Sequence, residues 1–271
     1  KDFNLYGKVT WQWVKWLSLF ADLQYRRVDY TMTGTLDNLR TLDQKHHFDF
    51  FNPKGGISMS FPGNHELFAS FSIANREPSR NNYKDADPEK MPVNETLYDL
   101  EAGYSLKKSR FNLAANLYWM QYRDQLVLTG EINNVGEAVM VNVPRSYRLG
   151  MELSGGILLI PGILDLSFSA TVSRNKIKNF IQYIDQYDED WNFTGQQAND
   201  LGTTNLSFSP SLLGSGSLIF RPLKDMKFSW NSKYVGEQFI DNTSSDNRKL
   251  SDYLIHGITA DYTVKTKVFS E

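Results

Sequence analysis

Between Tyr98 and Trp119 the chain reads YDLEAGYSLKKSRFNLAANLYW, and its odd and even positions differ in kind. Tyr98, Leu100, Ala102, Tyr104 and Leu106 are apolar, separated by Asp99, Glu101, Gly103 and Ser105. After Lys107-Lys108-Ser109-Arg110 the alternation resumes at Phe111, Leu113, Ala115, Leu117 and Trp119. Wound as a helix, the polar residues of the first half would point all around the cylinder and leave no apolar stripe. Gly103 would cost a helix interior about 1 kcal/mol. For 111–119 alone the spacing of Asn112 and Asn116 also suits a helix. The preceding segment and the KKSR turn decide for two β-strands joined in a hairpin.

The same period recurs. Leu17, Leu19, Ala21, Leu23 and Tyr25 form one apolar row, Leu67, Ala69, Phe71 and Ile73 a second, Leu149, Met151 and Leu153 a third, and Leu164, Leu166, Phe168, Ala170 and Val172 a fourth. Further strands are expected near 204–220, 226–240 and 250–266, about eleven in all, with no helix. Short turns fall at Val14-Lys15, Pro62-Gly63-Asn64, Lys107–Ser109, Pro161-Gly162 and Pro222–Asp225. Pro-Gly suits the centre of a tight turn, because glycine tolerates positive φ. Longer polar segments, roughly 34–46, 76–95, 130–138, 178–202 and 241–250, alternate strictly with these turns. In an antiparallel meander every short turn then lies at one end and every long loop at the other.

The apolar face must touch either a protein core or lipid. A soluble sandwich or β-rich adhesin would alternate as well, with one face buried and one wet. Three features favour the membrane. Many strands exceed ~10 residues, whereas globular strands average about 5–6. Short turns at one end and long loops at the other are the pattern of outer-membrane barrels. Aromatic residues recur at strand ends, with Trp11, Trp13 and Trp16 at one short turn and Tyr98 and Tyr104 towards the two ends of one apolar row. The fold class expected is therefore all-β, an antiparallel up-and-down transmembrane β-barrel. Its apolar row faces outer-membrane lipid and its polar row (Asp99, Glu101, Asn112, Asn116, Glu152 and Asp165) faces a wet lumen. Nothing here has ~18 consecutive apolar residues, so no transmembrane helix is expected. A net charge of -2 makes nucleic acid an unsuitable partner, and the absence of cysteine excludes disulfides and thiolate metal sites.

Hydrocarbon requires every backbone N–H and C=O to be paired, which about eleven strands with two free edges cannot satisfy. The opening KDFNLYGKVTWQW already alternates, so the chain is expected to begin inside an element and to be part of a longer protein.

Four segments, NREPSRNNY (75–83), YRDQLVLTGEINNVGEAVMVNVPRSYRLGMELSGG (122–156), YVGEQFIDNTSS (234–245) and LSDYLIHGITADY (250–262), resemble the TonB-dependent outer-membrane receptors, in the form found in Bacteroidetes. The resemblance covers nearly the whole chain. The NVP…SYR.G.EL strand and the YVGEQ…DN segment are its more specific parts. It implies a barrel of 22 strands with an N-terminal plug in the lumen. It also implies a TonB-box segment preceding the plug. Neither is found in this sequence. LSDYLIHGITADY matches the third strand from the end of that barrel, so residues 1–271 would supply about the tenth to the twentieth strands of a single barrel domain. The implied function is active uptake of a scarce solute (siderophore-iron, cobalamin or an oligosaccharide), powered through TonB, with no chemistry on the solute and no cofactor. The alternatives are a passive porin-type channel and the soluble adhesin.

The long loops and the inward residues near them are then the substrate-binding candidates. Arg76, Arg80 and Tyr83 stand in and beside the 76–95 loop, where arginine could clamp the carboxylates or phenolates of an iron chelate. The weightier alternative has the two arginines touching the plug or paired with Asp85 and Asp87. Tyr122, Asp124 and Arg148 have inward parity on upper strands, and a wall hydrogen-bond network suits them better than direct ligand contact. His46-His47 would chelate poorly together, since neighbours in a strand point to opposite faces. His65 lies beside a tight turn, and His256 sits on the apolar face without a sequence-level reason. The acidic run DQYDED (185–190) lacks the defined calcium loop with its central glycine and reads as solvated. No spacing of His, Ser and Asp nominates a nucleophile and base, so no enzymatic activity is expected.

Overall fold

The structure is a computed structural model that describes residues 1–35, 41–86, 90–133 and 138–264. Its elements follow in chain order: β1 (Asp2–Val14), β2 (Leu17–Met32), β3 (Gln44–Phe61), β4 (His65–Arg76), α1 (Arg80–Asp85), β5 (Glu95–Lys107), β6 (Phe111–Ile132), β7 (Ala138–Ile160) and β8 (Leu164–Lys178). Then come β9 (Ile181–Tyr187), β10 (Phe193–Asp200), β11 (Thr204–Asn205), β12 (Leu212–Leu223), β13 (Met226–Val235), β14 (Gln238–Phe239), β15 (Lys249–Leu250) and β16 (Tyr253–Tyr262). One antiparallel sheet runs in the order β1-β2-β3-β4-β5-β6-β7-β8-β12-β13-β16, with β11 paired to the end of β8. These eleven strands pair in chain order, as an up-and-down meander requires, with the short β9, β10, β11, β14 and β15 in the connections between them. β1 and β16 are the two ends of the sheet.

Register turns the period-two pattern into bands. Ala102, Leu117, Met151, Val172 and Leu212 lie opposite one another across five strands on the apolar face. Gly103, Asn116, Glu152 and Thr171 do the same on the polar face. The apolar band is uncovered: Leu117 is 56% exposed and Val172 60%. A second packed sheet would have hidden these side chains in a dry core, so the sandwich alternative fails on this point. An aromatic rim is also present at the short-turn end, with Trp11 stacked on Trp13 at 5.6 Å and Trp16 on Phe61 at 5.9 Å. On the polar face Phe68 lies across Gly103, where any Cβ would collide with its ring. The glycine that weakened a helical reading lets that ring lie flat against the sheet.

Short turns and long connections alternate as expected, but the long connections have structure of their own. A six-residue helix, α1, interrupts the 76–95 segment where none was expected. Ser79 caps it: its hydroxyl accepts from the Asn82 N–H at 3.2 Å, and the Asn82 side chain accepts from the Ser79 N–H at 2.8 Å. This is a capping box with Asn where Glu or Gln is usual. The 178–202 loop carries the β9–β10 hairpin. The strand expected from 204 starts only at Leu212, because Phe208, at φ 48°, and Pro210 break the extended backbone before it. The only cluster of buried apolar residues among those described is small. Val127, Val143, Ile177, Phe180 and Leu206 meet where the 180–206 segment folds over the loop ends of β6, β7 and β8.

Candidate functional site

The loop ends of β2 to β6 carry a hollow on the polar face, and its floor is built by ion pairs. Arg26, inward on β2, donates through Nη1 to Glu77 Oε2 at 3.0 Å and through Nη2 to Glu77 Oε1 at 2.9 Å. It also reaches Asp2 on β1 at 2.8 Å. The planar guanidinium can serve both carboxylates because its donors form a fixed fork. Held there, Glu77 leads into the buried Pro78, whose carbonyl accepts from the Tyr30 hydroxyl at 3.4 Å. The chain then enters α1. Tyr83 on α1 is 2% exposed, stacked on His46 at 3.7 Å and edge-on to Tyr30 at 6.2 Å. Burial pushes its phenol well above the ordinary tyrosine range, so it stays neutral.

Arg76 donates from Nε to Glu95 Oε2 at 2.6 Å, while Glu95 Oε1 accepts from the Leu126 N–H at 2.7 Å. Arg80, at the start of α1, is exposed and has no carboxylate within ion-pair reach among the described residues. Arg26, Arg76, Glu77, Ser79, Arg80 and Asn82 line a hollow of about 510 Å³. Its chemistry is that of an anion receptor: two guanidiniums fixed by carboxylates and one free.

A second hollow, of about 340 Å³, lies lower on the same face between Glu101, Tyr118, Arg148, Glu152 and Ser209. Arg148 donates to the Ser209 hydroxyl at 3.1 Å, tying the inward-folded 206–211 segment to β7. Nearby, buried oxygens of Asp99 and Asn116 have no hydrogen-bond partner among the described residues.

The sequence candidates thus separate. Arg76 and Arg80 share the upper hollow, but Arg76 pairs with Glu95 and not with Asp85, whose own cation is Lys84 at 3.7 Å. Asp87 lies outside the described residues. Tyr83 is withdrawn from any ligand-facing surface and anchors α1 instead. Tyr122 keeps its inward register opposite Leu97 and Ser146, and Arg148 takes the wall role expected for it. Asp124 departs from its expected inward row. It adopts a left-handed φ of 56° just past the last β5–β6 pair, and its carboxylate meets Arg123 Nε at 3.3 Å. Arg26, Tyr30, Glu77 and Glu95 were missed. The only sequence signal of Arg26, Tyr30 and Glu95 was inward parity, shared by many wall residues, and Glu77, in the loop just past β4, had none.

The histidines behave as neighbours in a strand must. His46 stacks on Tyr83, whereas His47 bridges Asp29 and Asp49 at 2.6 and 2.7 Å on the opposite face. His65 contacts the Tyr104 hydroxyl at 2.8 Å, and His256, unexplained by sequence, meets the Ser232 hydroxyl at 2.8 Å. In the acidic run, Asp188 accepts from the N–H groups of Asp190 and Asn192 at 2.9 and 2.8 Å. That carboxylate is a turn cap. The Asn192 and Asp190 donors hold it below the ordinary carboxylate range.

Comparison with known proteins agrees with this geometry. A family model described as "TonB dependent receptor-like, beta-barrel" matches residues 1–270. Among proteins of curated function, none matches the sequence. Of solved structures, the copper transporter OprC superposes with a TM-score of 0.75 at 15% identity, over 97% of this chain and 40% of that one. The siderophore receptor PiuA from Acinetobacter baumannii gives 0.75 at 14%, over 97% and 37%. The ferric yersiniabactin uptake receptor FyuA from Yersinia pestis gives 0.70 at 12%, over 96% and 38%. At these identities the likeness shows a shared fold. This chain spans about two fifths of each of those structures' length.

Proposed function

Since this chain belongs to the TonB-dependent receptor β-barrel family, we propose that it forms about half the wall of an outer-membrane receptor for active uptake of a scarce, anionic solute. The family is one of transport receptors and not of enzymes, and its place is the bacterial outer membrane. The observation that carries the reading is the upper hollow. A loop folded inward by Arg26–Glu77 presents Arg76 and the uncommitted Arg80 to the lumen. Two guanidiniums at a lumenal mouth suit a chelate or glycan bearing carboxylates, phenolates or sulfates better than a neutral solute. Among the structural neighbours, the siderophore and ferric yersiniabactin receptors take solutes of the iron-chelate member of that class.

On this reading residues 1–271 belong to one barrel domain. The remaining strands and the plug come from the rest of the receptor, TonB supplies energy, and the NVP…SYR.G.EL strand marks a Bacteroidetes-type member. The unpartnered oxygens of Asp99 and Asn116 face where a plug would pack. The test is uptake by cells carrying the intact receptor under iron limitation, with an added ferric siderophore. Growth should depend on both the receptor and TonB. Uptake that persists without TonB would instead mark a passive channel.

A further inference from the structure

On the apolar face, Arg123, Arg145 and Lys178 lie directly opposite one another across β6, β7 and β8. Like charges in direct cross-strand register repel, and each such pair costs stability unless an anion lies between them. Protein anions do not resolve this row. Arg123 has Asp124 at 3.3 Å, while Arg145 and Lys178 have no carboxylate partner among the described residues. Lys178 lies over the Tyr147 ring at 5.9 Å. On the same face of β8, Arg174 and Lys176, opposite Leu149 and Tyr147, likewise have no carboxylate partner among the described residues, whereas other cations of the sheet are paired. Arg27 on the apolar face pairs with Asp29, and the inward Arg26, Arg76 and Arg221 each have a carboxylate.

The row sits at the height where lipid headgroups begin. Arg123 is twelve residues along β6 from Phe111, and Lys178 fourteen along β8 from Leu164. A tilted strand crosses the hydrocarbon in about 9–11. Just below the row, Trp119 and Leu149 are opposed in register and about half exposed. Together these five side chains and Tyr98 line a hollow of about 970 Å³ on the outer wall. An apolar floor under a cationic rim fits a molecule that carries phosphate and acyl chain together.

We propose that this hollow binds the phosphate groups of the acylated, phosphorylated glycolipid of the outer leaflet, with an acyl chain lying over Trp119 and Leu149. The proposal rests on the membrane placement given above. That placement is checked separately by finding the receptor in the outer-membrane fraction.

The test uses the intact receptor in detergent, titrated with diphosphoryl lipid A. The triple variant R123Q/R145Q/K178Q should bind at least ~10-fold more weakly, since each cation near an anionic headgroup contributes a few-fold. R27Q, whose charge is already paired, should bind as the wild type does. Phosphatase-treated lipid A should bind the wild type more weakly by a similar factor, and inorganic phosphate at equal concentration should not compete. Equal binding by the triple variant, or of the dephosphorylated lipid, overturns the proposal. Displacement of lipid A by inorganic phosphate overturns it too, by showing a simple anion site. Should the triple variant fail to assemble, as judged by heat-modifiable mobility, the comparison of the two lipids on wild-type receptor decides alone.

Discussion

Arg26 and Glu77, 51 residues apart in the chain, meet through two hydrogen bonds of 3.0 and 2.9 Å. The pair joins the wall to the loop that carries α1, and both side chains are mostly shielded. Neutralising Glu77 leaves Arg26 to Asp2 alone and removes the charge that ties the loop to the wall. The E77Q variant should therefore loosen residues 78–86 by about 1–2 kcal/mol of local stability. Hydrogen exchange in α1 should quicken roughly 5- to 30-fold, while the strands keep their protection. Unchanged exchange in α1 would show that the Tyr83–His46 stack holds the loop unaided.

Arg80 makes no ion pair within the described chain, so its removal need not disturb the fold. R80A should weaken binding of an anionic solute by roughly 10- to 100-fold, the usual worth of a charge-assisted hydrogen bond. The temperature of barrel unfolding should stay within the range of a neutral surface change. A calorimetric titration of the intact receptor with the ferric siderophore that supports growth measures the first, and a thermal melt in the same detergent the second. If R80A binds as wild type, ligand recognition lies outside this hollow.

The strands were legible because a half-wet sheet writes its two faces into alternate residues, and no helix could hide Gly103 or scatter Asp99 and Glu101 so regularly. The turns were legible because Pro-Gly at 161–162 and Pro-Gly-Asn at 62–64 have few other uses. The site was less so. Glu95 finds Arg76 through register, and a one-residue slip would separate the pair, while Glu77 meets Arg26 only because the loop after β4 folds inward. The α1 cap was hidden by Asn82 standing where Glu or Gln is usual. Asp124 was hard to place because its own left-handed φ turns one side chain while the register runs on unbroken on either side.

Asp188 gives the β9–β10 hairpin a pH dependence whose sign is fixed. Its folded carboxyl is held below the ordinary value of about 4 by the donors of Asn192 and Asp190. The stabilisation is therefore present above that ordinary value and is lost as pH falls through the lowered one. Protease resistance at the 188–192 turn should be constant from neutrality to about pH 5 and decline below ~4. D188N should lack that step and resemble the acid-treated protein throughout. A wild-type turn equally resistant at low pH would mean that the Asp188 cap contributes nothing to holding it.

Leu117 and Asn116 are neighbours on β6 that face opposite ways, and they decide what the alternation means. Leu117 lies six residues along β6 from Phe111, near the middle of the hydrocarbon, in a band with Met151 and Val172. An arginine there must be dragged toward a headgroup or desolvated, at a cost of about 2–4 kcal/mol. Asn116 sits opposite Glu152 on the lumenal face, where a cation meets water and a carboxylate. L117R should accordingly lower the unfolding free energy of the intact barrel in lipid vesicles by that amount, and N116R by less than about 1 kcal/mol. In a soluble sheet with its apolar face packed, L117R would be as damaging in plain buffer as in lipid. The barrel reading requires the penalty to depend on the bilayer, and to shrink when the same change is made at Arg123's level, where the strand has left the hydrocarbon.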